Sequence, residues 1–182
     1  GTIPYCAGLP VSAFCISLVK SGRPVSAIIY DPFMGRMWSA TDNDCGTSLW
    51  CRGIGMVQKA RVSSCDKLKK AIVGIVWWPG ARFNLGAVCE RLMSCGTQCL
   101  NPLTIAYLGG LVASGELTAT IFPGNKLWET AAMHLIVERA GGLASDIHGK
   151  PLRYTAGGEI NGHIISNGLL HGELVQIVRE CQ

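Results

Sequence analysis

The chain holds 182 residues, 48% of them hydrophobic and 15% charged, with a formal net charge of +4. That apolar share excludes intrinsic disorder, and the longest apolar runs, such as Ala71 to Trp78, stop short of the roughly 20 residues a spanning helix needs. The basic residues are dispersed, and their one cluster, Lys67, Lys69 and Lys70, has no aromatic platform beside it; this argues against nucleic acid and leaves small anions as partners.

In chain order, Val11 to Val19, Val25 to Tyr30 and Arg36 to Thr41 are rich in β-branched and aromatic residues. They are separated by Lys20-Ser21-Gly22 and by Asp31-Pro32-Phe33-Met34-Gly35, which predicts an antiparallel meander. Gly53-Ile54-Gly55 reads as a strand-joining turn.

Near residue 70 the texture changes. Ala71 to Val76 predicts a buried strand, Asn84 to Met93 a helix, Pro102 to Ser114 a helix ending at Gly115, and Leu117 to Phe122 a strand. Trp128 to Ala140 follows, with Trp128, Ala131, Ala132, Leu135 and Ile136 at the spacing of one helical face and Gly141-Gly142 as its stop. Leu143 to Ile147 and His163 to Ser166 predict strands, and Leu169 to Cys181 a closing helix. The fold class is α/β, in layers, with an antiparallel-sheet lobe over residues 1–70, an α/β lobe over 71–182 and a cleft between them for a ligand.

Nine cysteines, an odd number with several inside apolar runs, predict reduced thiols and a cytoplasmic home. Cys95-x3-Cys99 falls short of the paired knuckles of a structural zinc site. His134, between Met133 and Leu135, reads as a packed or surface histidine rather than a base.

Two separated stretches carry a resemblance. Gly1-Thr2, Gly8-Leu9-Pro10, the run Ile16 to Gly22 and Tyr30-Asp31-Pro32 make up the first; Trp128-Glu129-Thr130-Ala131-Ala132, the run Ile136 to Gly142, Asp146-x-x-Gly149-Lys150-Pro151-Leu152 and Ser166-Asn167-Gly168 make up the second. In this order they resemble the inositol monophosphatase family along the whole chain. The resemblance implies an αβαβα sandwich, here without its first part, and a Mg²⁺-dependent phosphomonoesterase acting on a small phosphorylated molecule. It implies that Thr2 orients the attacking water, that Glu129 holds metal, and that Gly1, by its backbone, with Thr104 and Lys126 borders the substrate.

Such chemistry needs cations and N–H groups aimed at phosphate oxygens, and hydroxyls that set the nucleophile in line. Three departures bear on it. The family's upstream Glu and its Asp-Pro-x-Asp carboxylates precede the Gly-Thr pair and are not in this sequence; Glu129 stands where the family has Asp; Phe122 stands where the family has a Glu that binds the inositol ring. The expectation is therefore an impaired or inactive phosphatase, with a non-catalytic binding or structural module as the alternative. In relatives the segment before Gly-Thr covers one face of the first sheet, so an apolar face is expected to be bare here and to be covered by a homo-oligomer, most simply a dimer.

Overall fold

The computed structural model describes residues 1–182. A short helix, α1 (Thr2–Cys6), leads into a five-stranded antiparallel sheet in sequential order: β1 (Phe14–Lys20), β2 (Arg23–Asp31), β3 (Arg36–Thr41), β4 (Thr47–Cys51) and β5 (Val57–Ala60). Local chemistry sets its register. Ser21 and Gly22, both at positive φ, form the two-residue turn that pairs Lys20 with Arg23, the backbone a tight hairpin requires. At the next turn the Asp31 carboxylate accepts from the N–H groups of Phe33 and Met34, at 3.0 and 3.1 Å, which closes an Asx turn.

The second sheet contains β6 (Ile72–Ile75), β7 (Gln98–Leu100), β8 (Ala119–Phe122), β9 (Leu143–Ser145) and β10 (His163–Ser166), in the order β7-β6-β8-β10-β9. Strand β6 runs parallel to β7 and β8, and β10 is antiparallel to β8 and β9. Helices α3 (Ile105–Ala113) and α4 (Leu127–Arg139) lie between the sheets, while α2 (Leu85–Ser94) and α5 (His171–Glu180) pack on the far side of the second. The layered α/β architecture is thus present as sheet, helices, sheet, helices. One apolar cluster of 24 residues fills the first gap and another of 16 the second.

Trp38 anchors the first gap. It is fully buried, and its indole N–H donates to Ser114 Oγ at 2.5 Å. The ring lies so close to α3 that a Cβ on Gly110 would sit 2.8 Å from it, and one on Gly109 would sit 2.4 Å from Met133 of α4. A Gly-Gly step is what lets three elements, β3, α3 and α4, meet there.

The structure corrects several expectations. Helix α4 was expected to show one apolar face including Trp128, yet Thr130 to Val137 are all buried and Trp128 is 66% exposed. A helix held between two sheets is enclosed on every side, and only its first turn projects beyond them. Helix α3 begins at Ile105 rather than Pro102, because Leu103 takes φ 56 and Thr104 is extended as the N-cap. Strand β9 stops at Ser145, where the Asp146 carboxylate turns to accept from the N–H groups of His148 and Lys150. Strands β4, β5 and β7 carry too many polar or too few residues to stand out in the pattern.

On β1, Phe14, Ile16 and Leu18 are 58%, 54% and 64% exposed, so the outer face of the first sheet does present apolar side chains. No helix is long and apolar enough to cross a membrane.

Candidate active site

A cavity of about 410 Å³ opens where four turns converge: the start of α1, the segment after β6, the turn before α3, and the loop from β8 into α4. Gly1, Thr2, Trp78, Phe122, Lys126 and Glu129 are among the residues that line it. The fifth nominated residue, Thr104, lies directly behind Gly1: a Cβ on that glycine would come within 2.8 Å of Thr104 Oγ1. The fold therefore brings Gly1, Thr2, Thr104, Lys126 and Glu129 to one place, although 128 positions separate the first from the last in sequence.

Glu129 sits in the first turn of α4, half-buried, and takes part in none of the six ion pairs of the chain. Burial pushes its carboxyl above the usual range. Its charge reaches Cys15 on β1, whose thiol is raised first by burial and then by Glu129. Lys126 is partly engaged: its Nζ lies 3.6 Å from Glu159 and 5.7 Å from the centre of the exposed Trp128 ring. As N-cap of α4 it offers no side-chain acceptor, so the first-turn N–H groups are left for another partner.

Thr104 is 1% exposed, and its Oγ1 has no hydrogen-bond partner. The residue before it, Leu103, holds a left-handed conformation that costs a branched side chain roughly 1–2 kcal/mol. An orphan hydroxyl behind a strained residue at a cavity wall is where a bound group would restore the missing bond. Sequence reasoning missed Leu103, Asn125 and Trp78; the Asn101-Pro102-Leu103 turn was the available signal for the first, and nothing flagged the others.

Phe122, at the position of the family's ring-binding Glu, packs on Trp78 and His163 with ring centres 5.9 and 5.3 Å away. The wall it forms is apolar. His134 is packed, bridging the Tyr154 hydroxyl and Glu138 at 2.9 Å each, on the far flank of α4.

The donors fit a hard cation in kind and fall short in number. Glu129 is the one carboxylate lining the cavity, and nowhere do three or more His, Cys, Asp or Glu side chains gather as a metal set. Magnesium holds several waters but needs near-octahedral oxygen geometry, which one carboxylate and a hydroxyl do not impose. These residues alone do not make a magnesium centre. A larger cavity, about 590 Å³, lies between β1, α4 and Tyr154, yet no charged side chain lines it, so it offers nothing to a phosphoryl group.

Comparisons with known proteins bear on the family and the fold. The pattern of the inositol monophosphatase family matches residues 1–182. The chain is 30% identical to inositol-1-monophosphatase ImpA of Mycolicibacterium smegmatis, over 83% of this chain and 54% of that protein. It is 27% identical to fructose-1,6-bisphosphatase/inositol-1-monophosphatase of Thermotoga maritima, over 99% of this chain and 65% of the relative. The solved inositol monophosphatase of Anabaena superposes over 100% of this chain and 69% of its own length, with a TM-score of 0.86 at 21% identity. The chain thus spans from about half to about two thirds of the length of the proteins it matches.

Proposed function

The chain belongs to the inositol monophosphatase family, and from that premise we propose that it is the larger part of a phosphomonoesterase for small phosphate esters, impaired as these 182 residues stand. The observation that carries the reading is the convergence of Gly1, Thr2, Thr104, Lys126 and Glu129 on one cavity. Phosphate enters with its oxygens toward the Lys126 ammonium and the uncapped N–H groups of α4. Gly1, having no side chain, lets the backbone approach, and Thr104 Oγ1 donates from behind it. Thr2 holds the attacking water in line. Glu129 would hold Mg²⁺ only in part, with further ligands from elsewhere, and the ion would supply charge neutralisation for the phosphate.

Glu129 is a single carboxylate, so further metal ligands would have to come from outside these 182 residues; reading residues 1–70 and 71–182 as two lobes would set the cavity at their junction. Phe122 in place of an acceptor argues against inositol phosphate as the preferred ester, because an apolar wall cannot satisfy a ring hydroxyl. Nine free thiols support a reducing, cytoplasmic setting, and the bare sheet face supports a homo-oligomer.

The single carboxylate also favours a second reading, a silent relative kept as a binding or structural module. Hydrolysis of a panel of phosphomonoesters with and without Mg²⁺, beside calorimetric titration of the metal, separates the two. Mg²⁺-dependent turnover that Glu129→Ala removes supports the phosphatase; neither binding nor turnover supports the module.

A further inference from the structure

The turn between α2 and β7 brings two thiols level. Helix α2 ends at Ser94, Cys95 caps it, Gly96 at φ 84 reverses the chain, and β7 begins at Gln98. Six residues back along a helix cover about 9 Å and three forward along a strand about 10 Å, so Cys89 and Cys99 stand at the same height. They also share a side. Cys89 follows the buried Leu85 by one helical turn, while Cys99 alternates with the exposed Gln98 and Leu100 and points away from them. Both pack against the apolar cluster that fills the second gap. Cys99 Sγ lies 3.9 Å from the Cys89 carbonyl oxygen, and Cys89 Sγ lies 3.8 Å from Met93 Sδ. The two thiols are free and half-buried, so neither is sealed from a small reagent.

We propose that Cys89 and Cys99 are a dithiol–disulfide pair, a modification site that closes under a small disulfide oxidant such as oxidised glutathione and tethers β7 to α2. The inference is independent of the phosphatase reading and rests on elements wholly within residues 71–182.

The surroundings decide which sulfur attacks. Burial, and then the hydrogen bond and charge of Cys89, push the Cys99 thiol up to about 12, so Cys99 keeps its proton at neutral pH. Cys89 therefore attacks: its thiolate sulfur bonds to one sulfur of oxidised glutathione, and the other leaves as a glutathione thiolate. That mixed disulfide removes the Cys89 charge that helped to hold the Cys99 proton. Cys99 then gives up the proton as its sulfur bonds to the Cys89 sulfur, and the second glutathione leaves. Two protein thiols are oxidised and one glutathione disulfide is reduced to two thiols, with no other reactant. In a reducing cell such a bridge is transient, as sensing disulfides are.

Closure reaches the cavity. Strand β7 runs into Asn101, whose side-chain amide donates to the Trp77 carbonyl at 3.4 Å, and then into Leu103 and Thr104 at the cavity wall. Leu103 holds its left-handed conformation just beyond an edge strand that is paired on one side only, by β6. Fixing β7 to α2 steadies that turn.

The test is to incubate the 182-residue chain with oxidised glutathione, quench with iodoacetamide and digest with trypsin, which cuts at Arg91 between the two cysteines. The expected product is peptide 83–91 joined to peptide 92–126, lighter by about 2 Da than the two unalkylated peptides together and separated by dithiothreitol. Cys95→Ser should keep this joined pair. Cys99→Ser should lose it and leave glutathione on Cys89, whereas Cys89→Ser should leave Cys99 unmodified. Should Cys99→Ser misfold, Cys99→Ala removes the same sulfur. In the oxidised parent chain, amide hydrogen exchange at Leu103 and Thr104 should be slower than in the reduced one. No joined peptide, a joined peptide that Cys99→Ser leaves intact, or glutathione retained on Cys89 of the parent overturns the pair. A bridge that leaves exchange at Leu103 and Thr104 unchanged overturns its reach to the cavity.

Discussion

The first sheet is built from strands of 4 to 9 residues and the second from strands of 3 or 4, and the two face different surroundings. All of β8 and β10 is buried, because helices cover both faces of the second sheet. The first sheet is covered by α3 and α4 on one side only, and its strands alternate, with Ala27, Ile29, Trp38 and Ala40 turned inward. A half-covered sheet ordinarily carries polar residues on its open side. Here that side carries Phe14, Tyr30, Met37, Trp50 and Val57 in one row. The lesson is that burial alone misreads the first sheet: its open face has the composition of an interior.

The sharpest way to break this contrast is to treat two tryptophans alike. Trp38→Ala removes a fully buried ring and its bond to Ser114, and is expected to cost about 3–5 kcal/mol in urea denaturation. Trp50→Ala, on the open face, should cost less than about 1 kcal/mol at low concentration. The second loss should grow with protein concentration if the face is shared between copies. Equal losses at high dilution would erase the distinction between the faces.

The doubly covered sheet should respond to acid. His163 on β10 is fully buried, shares a 2.9 Å hydrogen bond with Thr130, and leaves Nε2 without a partner. Burial, with a smaller contribution from His134, pushes its imidazole down to about 3. The unfolded chain then binds a proton near pH 6.5 that the folded chain refuses, so stability present above that pH is lost as pH falls towards about 3. Between pH 6.5 and 4.5 this one residue should account for about 2 kcal/mol, and His163→Gln should flatten the slope. His171, also lowered by burial, adds in the same direction.

A smaller effect comes from Glu138, in the last turn of α4 beside Arg23 of β2. Burial opposes its charge, but the hydrogen bond and charge of His134, with Arg23 and Arg139, outweigh it and hold the carboxyl low. Its contribution is present above the unfolded carboxylate range and is lost as pH falls. Glu138→Gln should therefore destabilise at neutral pH and be nearly silent in strong acid, as read by thermal melting at both conditions.

Much of this architecture was legible in the residues. The hairpin at Ser21-Gly22, the strand His163–Ser166 and the stop of α4 at Gly141-Gly142 follow from turn chemistry and periodicity. What escaped was set by tertiary position. Enclosure of α4 on every side cannot be read from a period of 3.6, and strand β7, three residues at a sheet edge, leaves too short a pattern. For the site, the motifs named Gly1, Thr2 and Glu129 and the family resemblance added Thr104 and Lys126, and the fold draws them together. The strain at Leu103 and the orphan Thr104 hydroxyl arise from backbone geometry that no local pattern encodes.

The central claim is that Glu129 is held unpaired and half-buried for a ligand rather than for the helix it begins. Glu129→Gln tests it most directly, by thermal melting with and without Mg²⁺ plus inorganic phosphate. A functional carboxylate gives a variant about 0.5–2 kcal/mol more stable than the parent, with the parent's ligand-induced rise in Tm abolished. A carboxylate that serves only the helix dipole gives a variant about 0.3–1 kcal/mol less stable with an unchanged response to ligand, and that result would contradict the account.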